Sequence, residues 1–374
     1  MYTYHPDFII LLHKTFSVRV QGLDFLRGIA VIGVMLTHTS LHNPISRAGW
    51  MGVDLFFVLS GFLVSGLIFT EYKQTGAFNI RLFLIRRGFK IYPSFYFFIA
   101  ASILLGLFTG YPELKPGFVL DEVIFIQNYR QGLWWHTWSL AVEEHFYIFF
   151  AGLSFFLIPR KLLPKPPVAL PLFVGLYLAV VAMRVQSSLA HQHEENYAFF
   201  ATHLRSDGIL LGVILSYLYH FAPSALTFAR RAPWPVMLFA CLLISPAFLF
   251  TGGEIFMNTV GTTTVHFGFC LLVLLAVQAK GAAASLPAVL RHAFSFISTI
   301  GLYSYTVYLW HIPVLHFMDG LTPWPWANYG LYFLITIILG AFLSLTVEKY
   351  FLRIRELYFP KPLPAPKLPV EEAA

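Results

Sequence analysis

A chain of 374 residues that is 57% hydrophobic and only 11% charged cannot fold as one water-soluble domain, because exposed apolar patches beyond a few hundred Å2 drive association. Runs of roughly 20 apolar residues recur along its length, each able to cross a hydrocarbon layer of about 30 Å as a helix, and their continuity excludes a β-barrel with dyad alternation. The net charge of +7 falls in short clusters between those runs, as membrane loops require, which argues against a nucleic-acid-binding face.

In chain order, residues 1–22 read as a cytoplasmic N-terminal segment. They lack the basic start, apolar block and small-residue site of a cleavable signal peptide. A membrane domain over 23–350 follows, with spans expected at 23–42, 50–70, 91–110, 138–158, 168–184, 199–219, 234–251, 259–278, 293–315 and 329–348. The fifth is the weakest, since Pro167 and Pro171 crowd its start and Arg184 its end. Residues 351–374 form a Pro-rich cytoplasmic tail of disordered composition. Cys241 and Cys270 each sit inside an apolar stretch and read as small buried residues rather than as a disulfide or metal site.

Orientation follows from the basic residues. With these spans, 19 of the 25 Lys and Arg fall on the side of the N-terminus, four fall opposite, and Arg27 and Arg205 lie within spans. The positive-inside bias therefore predicts an all-α polytopic membrane protein of about ten transmembrane helices with both termini cytoplasmic.

Ionisable side chains within spans are costly unless paired or facing a wet cavity, so each marks a candidate site. In the first span, Arg27 and His38 are eleven residues apart, on one helix face and about 16 Å apart along the axis. This face offers a phosphate-binding cation and, deeper, a base; a snorkelling Arg and an interhelical His bond would fit the spacing as well. Glu143 and Glu144 open the fourth span beside Trp134, Trp135 and Trp138. They either find a histidine or arginine on another span or sit in an aromatic interfacial belt. In the sixth span Arg205, Gly208 and Gly212 share a face with Asp207 nearby, read as a ligand approach or as an Arg–Asp lock between helices. Ser304, Tyr308 and His311 form a polar stripe on the ninth span, lining a cavity or bonding to another helix. Arg86, Arg87 and Lys90 stand in the connection before the third span, where phosphate binding and plain positive-inside bias explain them equally.

These segments resemble, in order, the acyltransferase 3 family of integral membrane O-acyltransferases. The resemblance is carried by LDFLRGIAVIGVMLTH, GVDLFFVLSGFLVSG (52–66), RRGFKIYP (86–93), WSLAVEEHFY (138–147), RSDGILLG (205–212) and GLYSYTVYLWHIP (301–313), and runs from about residue 20 to 350. The chain departs from the family at His145, where Gln is usual, and at Lys90, where Arg is usual; Lys keeps the charge but loses the planar fork.

The resemblance implies transfer of an acyl group, most often acetyl, from cytoplasmic acyl-CoA to a hydroxyl of a carbohydrate or related acceptor, with no metal, in a bacterial plasma membrane. Mapped onto this chain, Arg27, Arg86, Arg87 and Lys90 would neutralise the donor phosphates. His38 would be the general base, oriented by Glu144 or Glu143. Arg205 would steady an oxyanion or an acceptor group, with Ser304, Tyr308 and His311 facing substrate or oxyanion; in the alternative, His38 or Ser304 would first carry the acyl group. Trp134, Trp135 and Tyr129 would stack on a sugar. The rival class is a proton-coupled transporter of a small polar substrate, which the same intramembrane His, Glu and Arg would serve. Against it, neither an inverted repeat nor matched Gly/Pro-broken helices are visible in the sequence.

Overall fold

A computed structural model describes residues 20–41, 43–191, 199–252, 254–279 and 285–361. Most of the N-terminal segment, Lys280 and the tail beyond 361 lie outside the described residues. Within them all regular structure is helical. The principal helices are α1 (Gln21–Thr37), α2 (Met51–Thr75), α3 (Ile80–Thr109), α4 (Trp138–Leu157), α5 (Pro166–Ala190) and α6 (Asp207–Phe221). They continue with α7 (Pro233–Ile244), α8 (Thr262–Gln278), α9 (Ala288–Leu302), α10 (Ser304–Met318), α11 (Pro325–Leu343) and α12 (Lys349–Tyr358).

Local chemistry sets the ends. Gly76 and Gly110 stop α2 and α3 in the left-handed conformation, at φ 72° and 78°, which glycine adopts without strain. The Asn79 side chain accepts from the Leu82 N–H at 2.9 Å and caps the start of α3. Helix α3 therefore begins well before 91, and Arg86, Arg87 and Lys90 lie on helix rather than in a loop.

Six helical stretches are long and apolar enough to cross a membrane, and α6 with the turn after it makes a seventh, bent by 114°. Large apolar side chains such as Phe149, Phe156, Leu238 and Leu242 face outward, as lipid contact requires. The protein is integral to the membrane. Four of the expected ten spans are not single long helices; besides the bent α6, the expected seventh is the 12-residue α7 followed by one short turn of helix, Pro246–Leu249. Helix α1 ends at Thr37, where His38 takes the C-cap position, so it rises only about 25 Å. The expected ninth span is broken at Tyr303 (φ −98°, ψ 7°) into α9 and α10.

Close approach of backbones holds the bundle. A Cβ on Gly61 would overlap the Ile209 carbonyl, and one on Gly212 the Val58 carbonyl, so α2 and α6 pack at glycine distance.

A buried charge network ties α2 and α6 to α5 and α8. Arg205 Nη2 donates to Asp54 Oδ1 at 2.6 Å, and His266 Nε2 meets the same oxygen at 2.9 Å. Arg184 pairs with Asp207 Oδ2 at 3.0 Å, and all five side chains are shielded from solvent. Asp207 is thus the partner of Arg184, and Arg205 that of Asp54. Of the cysteines, Cys270 is buried and Cys241 is exposed.

Candidate active site

Helices α1, α2, α3, α4, α9 and α10 line one cavity. One end is basic: Arg27 of α1 and Arg87 and Lys90 of α3 line it. Ser60, Glu143, Ser139, Ser304, Tyr305 and Tyr308 line the walls. The arginines are braced. Arg27 lies 3.8 Å from Asp24; Arg87 sits over the Tyr147 ring at 4.1 Å, with Glu143 Oε2 at 3.9 Å. Glu143 also accepts from Ser60 Oγ at 2.9 Å and from the Tyr147 hydroxyl. Lys90 bonds to Glu348.

Beyond Tyr308 stand three imidazoles. The His38 ring meets Trp135 edge-on at 4.8 Å between centroids and stacks on His311 at 5.2 Å. His136 meets His311 at 4.8 Å and Tyr308 at 5.7 Å. Two of these rings have fixed tautomers. His136 Nε2–H donates to the Leu309 carbonyl at 3.2 Å, and His311 Nδ1–H donates to the Tyr308 carbonyl, because a carbonyl can only accept. As neutral rings they then carry lone pairs on His136 Nδ1 and His311 Nε2, both buried and without a hydrogen-bond partner. The Tyr308 hydroxyl joins this cluster to the cavity wall, 2.6 Å from the His136 carbonyl and 2.7 Å from Ser139 Oγ. Among the described residues no group of three or more His, Cys, Asp or Glu is arranged to hold a metal ion.

The structure brings together Arg27, Arg87, Lys90, Glu143, Ser304 and Tyr308 on the cavity, and His38 with His311 behind it. The expected contact between His38 and a glutamate is not made. Glu143 and Glu144 follow His136 by seven and eight residues on α4, about 10 Å further along the axis toward the basic end; Glu144 bonds instead to the Tyr92 hydroxyl. Arg205 is held in the α2–α6–α8 network, with its guanidinium against Trp138 and Phe199 at 5.7 and 4.9 Å. Arg86 does not line the cavity; it turns to Glu356 of α12. Trp134 is buried, its Nε1–H donating to Ser102 Oγ at 2.8 Å, so of the three aromatics expected to meet a sugar only Trp135 and Tyr129 are exposed. The sequence reading missed His136, which looked like part of a Trp-rich belt; a histidine flanked by Trp135 and Trp138 was the available signal.

A family profile described as an acyltransferase domain matches residues 20–346. The peptidoglycan O-acetyltransferase OatA of Listeria monocytogenes is 25% identical over 79% of this chain and 49% of that protein. The O-acetyltransferase OatA of Staphylococcus aureus is 28% identical over 83% of this chain and 53% of that protein. The chain thus spans about half the length of these curated relatives, and no solved structure matches it. With the profile covering nearly the whole helical bundle that builds the cavity, the chain belongs to the acyltransferase 3 family of membrane acyltransferases.

Proposed function

We propose that the protein moves an acyl group, acetyl by family analogy, from acyl-CoA entering at the basic end to a hydroxyl of a carbohydrate acceptor entering near Trp135. One observation carries this reading: a single cavity runs from three cations, Arg27, Arg87 and Lys90, to Tyr308, directly against the histidine cluster. Cations suit the donor's phosphates, and guanidinium groups grip them bidentately. The apolar part of the lining, Val53, Phe56, Leu59 and Leu140, suits a pantetheine arm. The peptidoglycan named for the Listeria relative supports a glycan acceptor, and the exposed ring of Trp135 beside His38 supplies a stacking face.

In this scheme His38 takes the proton from the acceptor hydroxyl as its oxygen attacks the thioester carbonyl. The new C–O bond forms, the C–S bond breaks, and the leaving thiolate takes the proton back from the imidazolium. His311 holds the His38 ring by stacking, while Glu143 fixes Arg87 in the wall. Arg205 supports the bundle rather than the oxyanion. The Tyr308 hydroxyl donates to the His136 carbonyl and accepts from Ser139 Oγ at 2.7 Å, so this pair fixes the wall between the cavity and the histidine cluster.

Purified protein supplied with radiolabelled acetyl-CoA and a glycan fragment should release free thiol and label the glycan. His38→Ala should lower turnover by about 100-fold or more, the scale of general-base catalysis, with unchanged chromatographic behaviour. Near-normal turnover in that variant would remove His38 from the chemistry. Flux of a solute without thiol release would return the chain to the carrier class.

A further inference from the structure

Two arginines from opposite ends of the sequence converge on one carboxylate outside the cavity. Glu356 Oε1 accepts from Arg86 Nη2 of α3 at 2.8 Å, and from Arg355 Nε and Nη2 at 3.0 and 2.6 Å. The other terminal nitrogen of Arg86 donates to the Phe359 carbonyl, and the Phe359 ring packs on Phe89 at 5.6 Å. Lys361 follows Phe359 by two residues on the same segment, and desolvation with the Arg86 and Arg355 charges holds its ammonium below the usual lysine range. Deeper on α3, Lys90 is held by Glu348, just before α12. The end of the described chain therefore runs across the basic end of the cavity.

The two acidic residues of this strap differ in a way that matters. Glu348 is 5% exposed and is further fixed by the Ser344 hydroxyl at 3.1 Å. Glu356 is 44% exposed and is gripped only by cations that would grip a phosphate in the same way. Two guanidinium groups on one carboxylate leave an excess of positive charge, which favours exchange of the carboxylate for a more highly charged anion.

We propose that Arg86, Arg355 and Lys361 form a phosphate-binding site at the mouth of the cavity, and that Glu356 fills it as an internal stand-in until a phosphoryl group of the donor displaces it. This rests on the acyl-CoA reading above and adds to it a site and a latch. Arg86, which the cavity itself does not use, then has a role in donor capture.

The test is acetyl-CoA binding to the full chain in phosphatidylcholine nanodiscs. Glu356→Gln removes the competing charge at constant shape and should tighten binding roughly three- to fivefold, the scale of a partly exposed ion pair; Glu356→Ala should do the same. Arg355→Ala and Lys361→Ala should weaken binding by a similar factor. The gain from Glu356→Gln should vanish when Arg86→Ala is added, the non-additivity expected of a shared contact. If both Glu356 variants bind as the natural chain does while Arg87→Ala still weakens binding, the latch is overturned and the donor reading stands. If no variant and not the natural chain binds acetyl-CoA, both fall together.

Discussion

Asp54 and Asp207 each hold a buried arginine, and His266 lies between them with Nε2 at 2.9 Å from one and Nδ1 at 3.5 Å from the other. Breaking such a network strands a charge in the bundle. Asp207→Ala leaves Arg184 with only neutral oxygens, those of Asn258, Thr259 and Thr263, and should cost about 3–5 kcal/mol. Thermal unfolding in detergent reads this as a lowered midpoint, and Arg184→Met combined with Asp207→Leu should lose less, since no lone charge remains. An unchanged midpoint in Asp207→Ala would show that the pair is idle. The sequence announced Arg205, Asp207, Arg27, His38 and both glutamates through one rule, that charge inside a span needs a reason. It could not announce partners. Asp54 and His266 come from helices more than 200 residues apart, and Glu144 found Tyr92 rather than His38 because the rise of α4 separates the glutamates from the histidine cluster. Residue identity was legible; residue pairing depended on how helices register in the bundle.

At the scale of elements, hydropathy located the helices better than their ends. Helix α3 runs 30 residues, about 45 Å, longer than a bilayer core. Its first turns carry Arg81, Arg86, Arg87 and Lys90, and a hydropathy reading stops at charges even where the helix does not. The segment before α4 shows the converse: residues that looked like an interfacial belt include a buried scaffold. Glu122, at the end of the short helix Pro116–Val123, accepts from the Leu133 N–H at 3.1 Å, and so anchors the turn that presents His136. Burial pushes its carboxyl up to about 7 from 4.5. The folded chain thus holds this proton more tightly than the unfolded chain does. The resulting stability is full below about pH 4.5 and is lost as pH rises through about 7, roughly 3 kcal/mol in all. Glu122→Gln should flatten that part of the unfolding profile between pH 4.5 and 8. A profile as steep as that of the natural chain would place the slope elsewhere.

For the whole molecule, the two ends of the site have opposite requirements. On the proposed reading a donor carrying phosphates would reach Arg27, Arg87 and Lys90 and a glycan would reach Trp135 and His38 at the other end, so transfer across the bilayer would require the basic end to face the cytoplasm. The distribution of Lys and Arg over the expected spans predicts the same orientation for an unrelated reason, the energetics of insertion. Agreement between the two is therefore a test of the mechanism as well as of topology. In a chain with Cys241→Ala and Cys270→Ala, a Gly117→Cys variant offers a thiol in the segment between α3 and α4, where a side chain at 117 meets open space. A Ser224→Cys variant offers one in the exposed turn between α6 and α7. A membrane-impermeant maleimide added to intact cells should label the first and reach the second only after permeabilisation. The reverse pattern would put the cationic mouth outside, away from any pool of acyl-CoA. It would sink the donor assignment even if every side-chain contact around the cavity were correct, because a site that binds the right chemistry on the wrong side of a membrane cannot turn over.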